Sequence, residues 1–482
     1  MSAILSIGAY VPLMRLQRAS IFEANRWFAP GLKGLARGER AIANWDEDTV
    51  TMAVEAARNC LAGTDGVAVS TVVLASTSAP FADRQNAGIV KDALNLDDAV
   101  LTIDAGTSQK AGTGALIQAL RSGDHGATLI AASENRRARP ASEDELINGD
   151  AAAALLVGPG DGIARFVGSH SISADFVDHF RAGDAEFDYG WEARWVREEG
   201  HAKLAGAAIG GLLAAHGIEG SAIAHFAAGI PAKGAAAALA RAAGIPAEAV
   251  VDDLAATLGY AGCAQPLLLL AAALEKAKPG DRIVVVGFGQ GADALLFEAT
   301  DAIAAPRRAI GLAAALSRSR REENYLKYLA FAGHLKLELG KRAEFDQKPV
   351  LTALYRNRKA VLGLVGGRCT VTGTIQFPRS EISVNQNAPE IGTQEDYPFA
   401  HRRAKVLTYT ADSLTYTPDP PNYYGMVEFE GGGRMLTEFT DADPDSIFVG
   451  APVRMMFRVK ARDERSGFVK YFWKAVPAAE GN

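Results

Sequence analysis

The chain has 482 residues, 48% of them hydrophobic and 22% charged, with a formal net charge of −6. That length exceeds what one hydrophobic core usually serves, so two or three domains are expected. The mild acidity gives no electrostatic case for nucleic acid or an anionic membrane, and no apolar run reaches the roughly 18–20 residues of a membrane helix. The opening MSAILSIGAYVP lacks a basic leader and reads as a first strand rather than a signal peptide. Three scattered cysteines, Cys60, Cys263 and Cys369, make no disulfide framework and point to a reducing, cytoplasmic setting.

Through about residue 300, short apolar runs alternate with Ala-rich helical stretches. Val72–Ala75, Leu101–Asp104, Thr128–Ala132, Ala151–Val157 and Ile283–Gly287 read as strands buried on both faces. Glu47–Leu61, Gly112–Arg121 and Ala205–His216 read as helices, with Asp46 placed to cap the first. The alternation predicts a layered α/β domain in two halves, residues 1–162 and 163–304. Each half carries a strand–loop–helix unit at a similar place, which suggests an internal duplication.

Within the first half, LTIDAGTSQKAGTGAL (101–116) is a strand, a small-residue turn and a helix start. Such an elbow presents one side chain over helix N-terminal amides. Residues 305–360 turn charged and Leu/Tyr/Arg-rich, the texture of a helical connector packed on a surface. From 361 to 482 the chain becomes strand-rich with Gly and Pro turns. Ala404–Thr410, Gly425–Phe429, Arg434–Phe439, Val453–Val459 and Phe468–Ala475 predict a five-stranded barrel.

Several motifs sharpen this reading. IGAYVP (7–12), the stretch from Trp45 to Asn59, AGTGAL, and KPGDRIVVVGFGQGAD resemble the bacterial and archaeal hydroxymethylglutaryl-CoA synthases. Those enzymes and the ketoacyl synthase III enzymes are relatives within the thiolase superfamily. The resemblance covers about residues 1–300 and implies a duplicated αβαβα thiolase-like fold. The tail, GGRCTVTGTIQFPR followed by PPNYYGMVEFEGGGRMLTEF, resembles the zinc-ribbon/OB-fold proteins that accompany thiolases and hold acyl-CoA or bridge subunits.

Carried over residue by residue, the resemblance leaves a depleted active site. Gln109 stands where the family has its cysteine nucleophile, and Thr77 where the synthases have a glutamate base. Tyr260 replaces the usual asparagine, and His225 is matched to the family histidine. Without a thiolate no acyl-enzyme forms, and without the glutamate nothing obvious deprotonates acetyl-CoA. His225 and Tyr260 would have to supply any oxyanion hole, and the tyrosine ring fills space that substrate needs. Cys263 is a possible relocated nucleophile, although a lone cysteine in an Ala/Leu-rich segment is usually core. Gln109 also stands where some polyketide loading domains carry a glutamine and decarboxylate malonyl thioesters. An engineered exchange at 109 is a further explanation.

The glycine loop 287–291 lacks the spacing of a dinucleotide fingerprint, and the resemblance makes Gly289 and Gly291 part of an acyl pocket. Lys233, ahead of Arg15, Arg84, Lys110 and Arg282, is the expected contact for CoA phosphates. In the tail, Cys369 is followed by Thr372 rather than a second cysteine, so no zinc is expected. Tyr424 and Arg434 are the candidates for an adenine and a phosphate. The reading that results is a subunit with a degenerate condensing site. It would handle a coenzyme A thioester beside a thiolase-type catalytic partner, within a homo- or heterodimeric core. An autonomous synthase or decarboxylase, and a pure scaffold, are the alternatives.

Overall fold

The computed structural model describes residues 2–64, 66–122, 126–305, 309–338 and 350–478. The chain divides into two units. The first takes residues 1–44, 48–90 and 98–332; the second takes 45–47, 91–97 and 333–482.

The first unit is built on nine strands: β1 (Ser2–Tyr10), β2 (Val69–Ala75), β3 (Leu101–Ala105), β4 (Ala127–Glu134), β5 (Ala151–Pro159), β6 (Ala164–Ser173), β7 (His225–Gly229), β8 (Arg282–Phe288) and β9 (Gly291–Ala299). Their order across the sheet is β7-β8-β9-β6-β1-β5-β4-β2-β3. The duplication is visible in that order. From β3 to β1 the first half runs with β2 parallel to β3 and β4, β4 antiparallel to β5, and β5 antiparallel to β1. The second half repeats the pattern: β7 is parallel to β8, β8 antiparallel to β9, and β9 antiparallel to β6. A parallel bridge from Phe226 to Val250 marks the place of the missing outermost strand. The halves join where Ala3 and Ile4 of β1 pair antiparallel with Arg165 and Ala164 of β6.

Helices α1 (Thr49–Leu61), α2 (Ala111–Arg121), α3 (Gly206–His216) and α4 (Gln265–Lys276) cover these strands. Leu267 to Ala271, Ala273 and Leu274 of α4 are all fully buried. A helix apolar on every side belongs between layers, and its residues share one core cluster with α2, β1 and β5. The α1 cap differs from expectation. Asp48, not Asp46, accepts from the Thr51 amide, and Thr51 Oγ1 bonds back to the Asp48 backbone. Such a reciprocal cap is worth about 1 kcal/mol. Asp46 instead faces Lys474 at 3.0 Å and Arg458 at 3.8 Å inside the second unit. Before α3 the chain runs as a π-helical stretch, Val196–Ala205, which the Ala-rich pattern did not foretell.

The second unit contains β10 (Ala404–Asp412), β11 (Asn422–Phe429), β12 (Arg434–Glu438), β13 (Pro452–Asp463) and β14 (Phe468–Pro477). They run β12-β11-β10-β13-β14, and a parallel bridge between Phe439 and Ala475 brings the two edges together as a barrel. Trp473, Phe457 and Met455 fill its interior, fully buried. Ahead of it lies a small sheet of Val365–Cys369, Ile375–Gln376 and Gln394–Pro398. The expected connector holds short helices at Leu312–Ser317, Tyr325–Phe331, Leu351–Arg356 and Arg358–Val361, and its residues 339–349 lie outside the described residues. No helix among the described residues is long and apolar enough to cross a membrane.

Candidate functional site

The elbow forms where β3 ends. Thr107 takes a left-handed backbone at φ 66°, strained for a β-branched residue, and α2 begins two residues after Gln109. The glycine loop after β8 closes over it. The Ser108 hydroxyl donates to the Gly289 carbonyl at 2.9 Å. A Cβ on Gly289 would sit 3.0 Å from the amide nitrogens of Gln109 and Lys110, so only glycine fits there. Gly291 has a different use: a Cβ there would be 2.0 Å from the Ile172 carbonyl, within the β6–β9 pairing.

Gln109 is 8% exposed. Arg136 carries donors only, so the amide oxygen must face it. In that orientation the oxygen accepts from both terminal nitrogens of Arg136, at 2.6 and 2.9 Å, and from His179 Nε2 at 2.9 Å, while the amide nitrogen donates to the Tyr260 hydroxyl at 2.8 Å. The oxygen is saturated. Burial works against the charge on Arg136, but Asp188 and Glu134 outweigh it and hold the guanidinium above its ordinary pKa. Burial likewise pushes the Tyr260 phenol up.

A second ring of charge supports the first. Asp188 pairs with Arg136 and, at 3.0 Å, with Arg181. Arg181 also donates to the Thr77 carbonyl. The fully buried Glu134 accepts from the Thr77 amide and hydroxyl, each at 2.9 Å, and from the Ser78 hydroxyl at 2.6 Å. His179 Nδ1 lies 3.0 Å from Asp178. Three carboxylates thus stand among two guanidiniums, an imidazole, and hydroxyl and amide donors, since buried charges need partners. The result is a hydrogen-bonded polar plug where the resemblance places a reactive thiol, with Arg136 Nε and Asp178 Oδ1 left without a partner among the described residues.

The structure brings Gln109, Tyr260, Gly289 and, through Glu134, Thr77 into one place. His225 is not among them, which corrects the expectation. It opens β7, beside Ile283, while Gly229 at the far end pairs with Gly287. Four residues of strand separate it from that loop, about 13 Å. Its ring bonds Asp281 at 3.2 Å instead. Cys263 is fully buried and donates to the Ala75 carbonyl; burial and Glu134 push its thiol far up. It cannot serve as a thiolate.

The expected phosphate contacts are dispersed. Arg15 is buried and bonds the Pro12 and Met14 carbonyls, and Lys110 pairs with Asp293 at 3.1 Å. Arg84 lies over the Phe81 ring, Arg282 approaches Glu298 at 3.9 Å, and Lys233 is exposed. In the barrel, Tyr424 borders a 310 Å³ pocket with Lys460, Lys474 and Trp473. Arg434 is not part of it and pairs with Glu428 at 2.9 Å, four residues along β11 from Tyr424. Around Cys369 stand the Thr372 amide and the Thr393 hydroxyl, and among the described residues no group of three or more His, Cys, Asp or Glu side chains is placed to hold a metal ion. One thiol among hydroxyls does not fit a zinc knuckle.

Glu134, Arg136, Asp178, His179, Arg181 and Asp188 were not singled out from the sequence. The run Ser-Glu-Asn-Arg-Arg (133–137) carried a usable signal, because charge directly after an apolar strand marks the carboxyl end where α/β sites gather. His179 and Asp188 lie in a loop with no periodicity to flag them.

Comparison with known proteins agrees with both units. Residues 213–297 match the family of 3-oxoacyl-[acyl-carrier-protein] synthase III C-terminal domains, and 397–458 match the ChsH2 C-terminal OB-fold domain. The fold is similar to a crystal structure of HMG-CoA synthase complexed with CoA, at TM-score 0.61 and 17% identity, covering 72% of this chain and 95% of that one. It is also similar to 3-oxoacyl-(acyl carrier protein) synthase III from Pseudomonas aeruginosa, at TM-score 0.55 and 20% identity over 62% and 98% of the two chains. The hydroxymethylglutaryl-CoA synthase of Pyrobaculum neutrophilum is 29% identical over 346 residues, 69% of this chain and 98% of that protein. That of Aeropyrum pernix is 33% identical over 310 residues, 61% of this chain and 84% of its own length. With that identity and the duplicated strand order, the chain belongs to the hydroxymethylglutaryl-CoA synthase family and carries an OB-fold domain behind the synthase-like unit.

Proposed function

We propose that this protein is a non-condensing member of its family. It handles a coenzyme A thioester and leaves the acyl-transfer chemistry to a thiolase-type partner, in an acyltransferase complex that makes or breaks a carbon–carbon bond. The observation that carries this reading is Gln109, whose buried oxygen is already saturated by Arg136 and His179. An amide cannot form a thioester, and neither Cys263 nor His225 is placed to replace what is missing. A relative described as bound to CoA supports the ligand class, and the OB-fold match supports a role for the tail in holding CoA and bridging subunits.

The test is reconstitution with a thiolase encoded beside this gene. Acetyl-CoA and acetoacetyl-CoA turnover should be absent from either chain alone and appear on mixing, together with co-elution. Turnover by this chain alone would overturn the proposal. A second reading, decarboxylation of a β-carboxy thioester without an acyl-enzyme, draws support from His179 standing 2.9 Å from the Gln109 amide. Malonyl-CoA loss without a partner would favour it.

A further inference from the structure

The segment between β6 and the π-helical stretch carries an unusual surface. Val177, Phe180, Tyr189 and Trp191 are 42%, 53%, 58% and 59% exposed, close together in the chain. Water-exposed rings in such density usually mark a binding site. Here they line an open recess. With His179 and Trp195 they wall a cavity of 270 Å³ that is almost wholly apolar.

The walls are braced. Trp195 stacks on Phe176 at 4.1 Å, Phe180 leans on Tyr189 at 5.4 Å, and Tyr189 on Trp191 at 6.5 Å. His179–Phe180 pairs antiparallel with Tyr189–Gly190, and Asp188 ties this hairpin to Arg136. One wall residue, His179, also bonds Gln109, so the cavity abuts the elbow. Its polar neighbours Asp178 and Asp188 pair with His179, and with Arg136 and Arg181, respectively.

Resting on the reading of this protein as a thioester handler, we propose that this aromatic cavity holds the acyl group, and that the acyl group is apolar and longer than acetyl: a medium alkyl chain or a ring. An uncharged, braced, mostly apolar recess with one polar group at its inner end is how proteins hold such groups.

The experiment is calorimetric titration of the full chain with CoA, acetyl-CoA, octanoyl-CoA and the octanoyl thioester of N-acetylcysteamine. Each buried methylene adds a few-fold in affinity, so octanoyl-CoA should bind at least about tenfold more tightly than acetyl-CoA. In Trp191→Ala and in Phe180→Ala, with unchanged circular dichroism, that ratio should fall to within about twofold of unity. Equal affinity for the two acyl-CoAs, a ratio that survives both variants, or failure of either octanoyl ligand to bind would overturn the inference. Should the N-acetylcysteamine thioester bind in a Trp191-dependent way while CoA adds nothing, the cavity stands and the coenzyme A reading falls.

Discussion

If Gln109 is a structural plug, removing it must cost stability. Gln109→Ala takes two hydrogen bonds from the largely buried Arg136 and strips partners from His179 and the Tyr260 hydroxyl. Hydrogen bonds to a charged group are worth about 1.5–3 kcal/mol, and the small cavity left by the amide adds to that. The expected loss is about 3 kcal/mol, read from urea unfolding followed by tryptophan fluorescence. Gln109→Met keeps the volume but not the acceptor and should lose most of the same amount. Gln109→Glu keeps an acceptor facing Arg136 and should stay within about 1 kcal/mol of the parent. Residues kept for catalysis behave the other way: their replacement often stabilises, because a working site stores strain. A Gln109→Ala protein as stable as the parent, or more so, would refute the plug and favour a catalytic amide.

Two further predictions concern charge. Burial holds the His201 imidazole down to about 4, edge-on to Phe288 at 4.7 Å. Below a pH of about 6.5 the unfolded chain takes a proton there that the folded chain refuses, so this contribution is full above about 6.5 and is lost as pH falls toward about 4, about 3 kcal/mol in all. His201→Phe should remove that slope from stability measured between those limits; an unchanged slope would refute it. In the second unit, Arg458 is 1% exposed and meets Glu47, Asp441 at 2.7 Å and Asp46 at 3.8 Å. Arg458→Met leaves those carboxylates without their guanidinium and should cost about 3–5 kcal/mol in thermal unfolding. A loss under about 1 kcal/mol would show that they are solvated instead.

The barrel strands were legible because they alternate and are punctuated by glycine and proline; all five begin within a few residues of expectation. The strands of the first half were legible as short apolar runs, but β3 is an edge strand with Leu101 57% exposed, not buried on both faces as expected. β6 was not legible, because polar residues break up FVGSHSIS and its pairing with β9 and β1 settles it. Asp46 looked like a cap because aspartate before a helix usually is one, but the sequence does not say that Asp48 is better placed or that Asp46 faces two cations. That an amide stands at position 109, where the resemblance expects a thiol, was readable from the motif. What fills the space was not, since Arg136, His179 and Asp188 reach it from distant segments that no local pattern connects. His225 was misplaced for the same reason: a histidine near the right motif says nothing about which end of the strand it occupies.

The most direct test is intact mass spectrometry of the purified chain after incubation with acetyl-CoA. With an amide at the elbow and its only nearby thiol buried and protonated, no acetyl adduct should form, even with excess thioester. A stoichiometric adduct released by hydroxylamine would contradict the account at its centre.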